Sequence, residues 1–122
     1  GVWDAFPKLR VGFLEGGTSW IPLVIDRMER EREYGELRCE KPIIDYFRSD
    51  RFFVGCEGNE SALSYVIERI GPQGCMFASD FPHEIAMEDA LHEINEILER
   101  RDINDKHKEM ILGNNAKRFY NL

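Results

Sequence analysis

Short apolar runs alternate with longer amphipathic ones along this chain, and Gly, Ser or acidic residues mark each change. "LRVGFLE", Leu9 to Glu15, has the composition of a strand. After "GGTSW" the apolar residues Ile21, Val24, Ile25 and Met28 recur at helical spacing, with Ser19 expected as the N-cap and Pro22 tolerated in the first turn. "RFFVGCEG", Arg51 to Gly58, predicts a second strand. Asn59 is the expected cap of its helix, which carries Leu63, Val66, Ile67 and Ile70 on one face and stops at "GPQG". "CMFASD", Cys75 to Asp80, predicts a third strand, followed by a helix starting near Glu84 with Met87, Ala90, Leu91, Ile94, Ile97 and Leu98 inward.

Between the first two units, "MEREREYGELRCEKP" predicts a solvated helix end and a loop, with "PIIDYF" as a short helical turn. The tail predicts two short helices broken at Gly113, with Asn115 capping the second and Ala116, Phe119 and Tyr120 docking it. Strand and helix in alternation imply an α/β fold with parallel strands and helices packed over them. Near-continuous apolar strands agree with burial on both faces. Right-handed crossovers then place every strand's C-terminal end on one edge, which gathers Glu15, Glu57, Asp80 and His83 at a common rim. Ligands bind at that edge in open α/β sheets and in barrels alike.

At 122 residues the chain has the size of one domain, and its net charge of −7 argues against nucleic acid as a partner. No apolar run approaches the ~20 residues of a membrane span. The opening "GVWDAFPKLR" lacks the basic start and apolar core of a leader. Cys39, Cys56 and Cys75 are odd in number and show no C-x-x-C spacing, so reduced thiols and a cytoplasmic location are expected.

Four segments, "FPKLRVGFLEGGTSWIP", "FFVGCEGNE", "FASDFPH" and "ILGNNAKRFY", together resemble the last third of an amidohydrolase-related metal-dependent hydrolase. The branch is that of aminocarboxymuconate semialdehyde decarboxylase, and the resemblance runs over essentially the whole chain. It implies three C-terminal βα units of a TIM (β/α)8 barrel plus C-terminal helices, residues 1–122 forming a single partial domain, with a divalent metal, zinc by expectation, at the barrel mouth. Asp80 matches the family's metal-binding Asp after the last strand, which also handles the proton of the attacking water. The bottom-up alternative is that Asp80 caps the following helix.

The other candidates are weaker. Glu15 stands where decarboxylases of the family often carry a histidine in "HGG"; the form "LEGG…W" still allows it to face the site, but weakens a specific claim of decarboxylation. His83, Trp20 and Glu57 are candidate substrate contacts, against plainer readings of His83 as a solvated loop histidine and Trp20 as a packing indole. Gly16 and Gly17 let the backbone approach a substrate or simply make the turn, and Glu60 reads as a favourable charge near a helix N-terminus.

The family's His-x-His pair after the first strand and its histidine after the fifth have no counterpart here, because His83, His92 and His107 all fall late. The expected function is therefore metal-dependent hydrolysis or decarboxylation of a small carbonyl- or carboxylate-bearing substrate, with the isolated chain inactive. A homo-oligomer or a complementing N-terminal barrel segment is the expected partner. The alternative is a non-catalytic half-barrel module that self-associates through its open sheet edges.

Overall fold

The computed structural model describes residues 1–83 and 85–122. The elements in chain order are α1 (Val2–Ala5), β1 (Val11–Phe13), α2 (Ile21–Glu33), α3 (Ile43–Phe47), β2 (Phe52–Cys56), α4 (Leu63–Ile70), a 3₁₀ turn (Pro72–Gly74), β3 (Cys75–Phe77), α5 (Met87–Glu99), α6 (Asp105–Glu109), a π-helical turn (Met110–Asn114) and α7 (Asn115–Tyr120). Among the described residues the strands form one sheet in the order β1-β2-β3, parallel throughout. Phe13 pairs with Val54 and Cys56 with Phe77, so all three strands end on one edge.

β2 is central and buried at every position, which explains its unbroken apolar sequence. Phe52, Val54 and Cys56 share one face and meet Ile21 and Ile25 of α2 and Leu63, Val66, Ile67 and Ile70 of α4 in a single core. On the opposite face Phe53 packs on Phe119 of α7, ring centroids 5.0 Å apart. The predicted α4 stripe is buried in full, and the helix stops at Gly71, whose φ of 89° is open to glycine and unfavourable for most other residues.

Four expectations about helix ends are corrected. Ser19 and Asn59 are not caps: α2 begins after Trp20 and α4 after Ala62, and neither has a side-chain cap bond. The chain instead turns into α2 through the Ile21 N–H bond to the Thr18 carbonyl. Gly113 does not break the tail, because the π turn carries the helical path through it into α7. Asn115 is not a cap either. Its buried amide donates to the Pro72 and Cys75 carbonyls, each at 2.7 Å, and ties the tail to the start of β3.

The stripe of α5 is also only half as buried as its periodicity suggests. Ala90 and Ile97 are buried, whereas Met87, Leu91 and Leu98 are each about half exposed (50%, 54% and 50%). Periodicity identifies the apolar face of a helix, but burial depends on what packs against it, and here Ile97 joins the core while Met87, Leu91 and Leu98 stay half open. The expected start of this helix near Glu84 lies outside the described residues; α5 as described starts at Met87, with the Asp89 carboxylate accepting the Ala86 N–H.

Candidate functional site

The rim is the set of loops that follow the three strands. Gly55 shows how closely they converge: a Cβ placed there would lie 3.4 Å from the Ala78 Cβ, 3.4 Å from the Leu14 Cα and 3.5 Å from the Glu15 nitrogen. A larger residue would wedge the strand ends apart.

Two acidic rim residues, Glu15 (φ 60°) and Asp80 (φ 56°), hold left-handed backbone conformations. Such conformations are uncommon outside glycine and concentrate where a side chain must be aimed. The Asp80 side chain is 29% exposed, and its Oδ2 lies 3.7 Å from the Nδ1 of His83, whose ring is open to solvent. The His83 N–H donates to the Asp80 carbonyl at 2.8 Å, closing the loop upon itself. Among the described residues α5 begins at Met87, seven positions after Asp80, and the acid that accepts from its first turn is Asp89, bonded to the Ala86 N–H.

Glu15 and Glu57 are exposed on the neighbouring loops. Trp20 is half-buried; its Nε1 donates to the Gly17 carbonyl at 2.8 Å and its ring meets Phe13, Phe47 and Phe52 edge-on. The aromatic packing and the occupied indole N–H fit the plainer of its two expected roles.

Two functional candidates were not legible in the sequence. The sequence predicts only a favourable helix-end charge at Glu60, yet its Oε2 accepts from the Thr18 N–H (2.7 Å) and hydroxyl (2.6 Å), and its Oε1 from the Glu57 N–H (2.9 Å). Gly17, at φ 59°, leaves room for this carboxylate, which a Cβ would approach to 3.2 Å. Glu93 of α5 is the second. Burial, then the charges of Glu57, Glu96 and Asp89, hold its carboxyl above the ordinary carboxylate range. A carboxyl raised by desolvation and by like charges marks a candidate proton-handling group. The available cue was a charged residue at helical spacing between the inward Ala90 and Ile97.

Arg100 secures the same region from below. Its guanidinium donates to the Gly58 (3.0 Å) and Glu60 (2.6 Å) carbonyls and pairs with both oxygens of Asp102. That pairing pulls the Asp102 carboxyl down to about 2. Because the folded value is depressed below the ordinary 3.8, the stabilisation is complete above about pH 4 and is lost as pH falls through about 2. Urea midpoints between pH 5 and 2 should therefore fall less steeply in Asp102→Asn than in the wild type. Identical slopes would mean that the pair adds nothing to the fold.

A sequence profile of the family described as Amidohydrolase matches residues 1–122. The chain belongs to the amidohydrolase family. No curated protein sequence matches it. Among solved structures it is similar to 5-carboxyvanillate decarboxylase LigW from Sphingomonas paucimobilis, at 29% identity and TM-score 0.78, over 100% of this chain and 36% of that one. An amidohydrolase from Mycobacterium avium subsp. paratuberculosis K-10 matches at 19% identity and TM-score 0.80, over 95% of this chain and 29% of that one. Dihydroxybenzoic acid decarboxylase from Polaromonas sp. JS666, solved with bound manganese and the inhibitor 2-nitroresorcinol, matches at 23% identity and TM-score 0.75, over 100% and 36%. The amidohydrolase chain thus spans about a third of the length of these structures and matches a portion of their TIM barrel.

The family's divalent metal can be tested against the side chains present. A catalytic zinc site takes three protein ligands and leaves one position open. Among the described residues, no three His, Cys, Asp or Glu side chains come together as a metal site. This portion of the barrel does not by itself make a site. No helix among the described residues is long and apolar enough to cross a membrane.

Proposed function

We propose that residues 1–122 are one partial domain, and that a complete amidohydrolase barrel containing it is a divalent-metal-dependent hydrolase or decarboxylase of a small carboxylate- or carbonyl-bearing substrate. The observation that carries this reading is Asp80: a half-buried carboxylate beyond the end of β3, on left-handed backbone, with His83 beside it. In the reading Asp80 is a metal ligand and holds the proton of the attacking or leaving group, Glu15 faces the substrate from the neighbouring loop, Glu57 and His83 line the mouth, and Trp20 packs at the base of the first loop. Zinc remains the expected ion on the family resemblance, and manganese is the alternative suggested by the Polaromonas decarboxylase. A cytoplasmic location and a complementing N-terminal barrel segment belong to the same reading.

The test uses the full-length barrel with 5-carboxyvanillate and 2,6-dihydroxybenzoate as probes. Turnover is expected with Mn²⁺ or Zn²⁺, to be lost on treatment with a chelator and restored by the ion, and to be absent from the 122-residue chain alone. Turnover indifferent to chelation, or no turnover of any carboxylated or carbonyl probe, would overturn the proposal.

A second reading, a self-associating module without catalysis, is favoured by one feature. β1 and β3 are sheet edges, and the half-exposed Met87, Leu91 and Leu98 of α5 follow the β3 edge. The native mass of the 122-residue chain separates the two, since this reading requires a defined oligomer.

A further inference from the structure

We propose that Glu60 is a positioning residue that locks the loops after β1 and β2 into one unit, so that Glu15 and Glu57 are presented to a substrate together. The inference rests on the reading of the rim as a reaction site, and it concerns how that site is held. One carboxylate serves both loops, with its two oxygens divided between them. Oε2 takes the N–H and hydroxyl of Thr18, three residues past Glu15, while Oε1 takes the N–H of Glu57 itself. Thr18 is fully buried, so its two donors have no water to fall back on. Hydrogen bonds to an ionised acceptor are the stronger kind, and three on one carboxylate form a rigid joint. The backbone of Glu60 is fixed in turn by the Arg100 guanidinium, which also holds Gly58. The left-handed turn at Gly17 brings the first loop against the carboxylate.

The chemistry of the joint makes a selective prediction. Glutamine at position 60 keeps one accepting oxygen and replaces the other with an amide that only donates. Glu60→Gln should therefore release one loop and keep the other, whereas Glu60→Ala releases both.

Amide hydrogen exchange on the 122-residue chain reads this directly. In Glu60→Ala the Thr18 and Glu57 amides should each exchange at least tenfold faster, while the Phe53 to Cys56 amides of β2 change less than twofold. In Glu60→Gln only one of the two loop amides should accelerate. Uniform acceleration, β2 included, would reduce Glu60 to a general contributor to folding and overturn the proposal, as would unchanged exchange at both loops. If Glu60→Ala does not fold, the near-isosteric Glu60→Gln decides alone.

In the full-length barrel with Mn²⁺ and 5-carboxyvanillate or 2,6-dihydroxybenzoate, Glu60→Gln should lower kcat at least tenfold with bound manganese unchanged. Parallel loss of metal and activity would again assign Glu60 to folding. A wild-type barrel that turns over neither probe counts against the proposed reaction, and the exchange pattern still decides the joint.

Discussion

Phe52→Ala is expected to destabilise the chain by about 3–5 kcal/mol, the range for removing a fully buried phenylalanine. Phe52 is 0% exposed and opens the central strand. Its ring lies 4.6 Å from Phe47, 5.8 Å from Phe13, 6.2 Å from Trp3 and 6.4 Å from Trp20, centroid to centroid. Truncation would leave these four rings around a void that their rigid shapes cannot collapse to fill, and the lost transfer energy adds to the cavity term. A helix residue of similar size could be replaced more cheaply, because a helix can shift against the sheet. β2 is held by ladder bonds on both sides and cannot move. For a chain of this size the loss corresponds to a fall of roughly 10–20 °C in Tm, read by thermal melting or by urea unfolding. Phe52→Leu, which keeps much of the volume, should cost about 1–1.5 kcal/mol. A Phe52→Ala variant within about 1 kcal/mol of the wild type would show that the aromatic cluster is looser than its geometry implies. The cluster also reaches the rim, since Trp20 lies at the base of the loop that begins with Glu15. Its fluorescence should shift in the native state of the variant.

The architecture could be read from the sequence because it depends on local patterns that repeat. Apolar runs of strand length alternate with stripes at helical spacing, and the parallel order follows from their alternation alone. Leu63, Val66, Ile67 and Ile70 are buried as the period requires. What could not be read depends on contacts between distant segments. Ser19 and Asn59 have the chemistry of caps, but their helices start one to three residues later, after Trp20 and Ala62. Asn115 looks like a cap until the carbonyls of Pro72 and Cys75, about forty positions earlier, are found around its amide. Glu60 is the sharpest case. It sits beside a helix start, where an acid is ordinary, and nothing in "CEGNE" announces that Thr18 waits 42 positions upstream. The site residues divide in the same way. Asp80 and His83 could be placed from one short motif, whereas the joint that holds Glu15 and Glu57 could not.

Asp80→Asn is the substitution with the largest expected effect on function. In the full-length barrel it should reduce metal-dependent turnover of a carboxylated probe by about 10³-fold or more, in the range expected when a positioned proton-transfer group is lost. Asparagine is the informative replacement because of the backbone. At φ 56° most side chains meet a steric cost of roughly 1–2 kcal/mol, while Asp and Asn tolerate the conformation. Asp80→Ala would therefore mix loss of the carboxylate with a strained loop, and only Asn removes the charge and leaves the turn in place. The His83 N–H can still donate to the carbonyl of residue 80, so the loop should keep its shape. The Tm of Asp80→Asn should accordingly stay within about 2 °C of the wild type while turnover disappears. His83→Ala gives the contrast. Its ring is 76% exposed and 3.7 Å from Asp80, a distance at which it can tune the carboxylate without replacing it. A loss of about tenfold is expected there, far short of the loss in Asp80→Asn. If Asp80→Asn keeps wild-type turnover, the left-handed carboxylate has a conformational role only, and the proposed reaction loses the residue on which it rests.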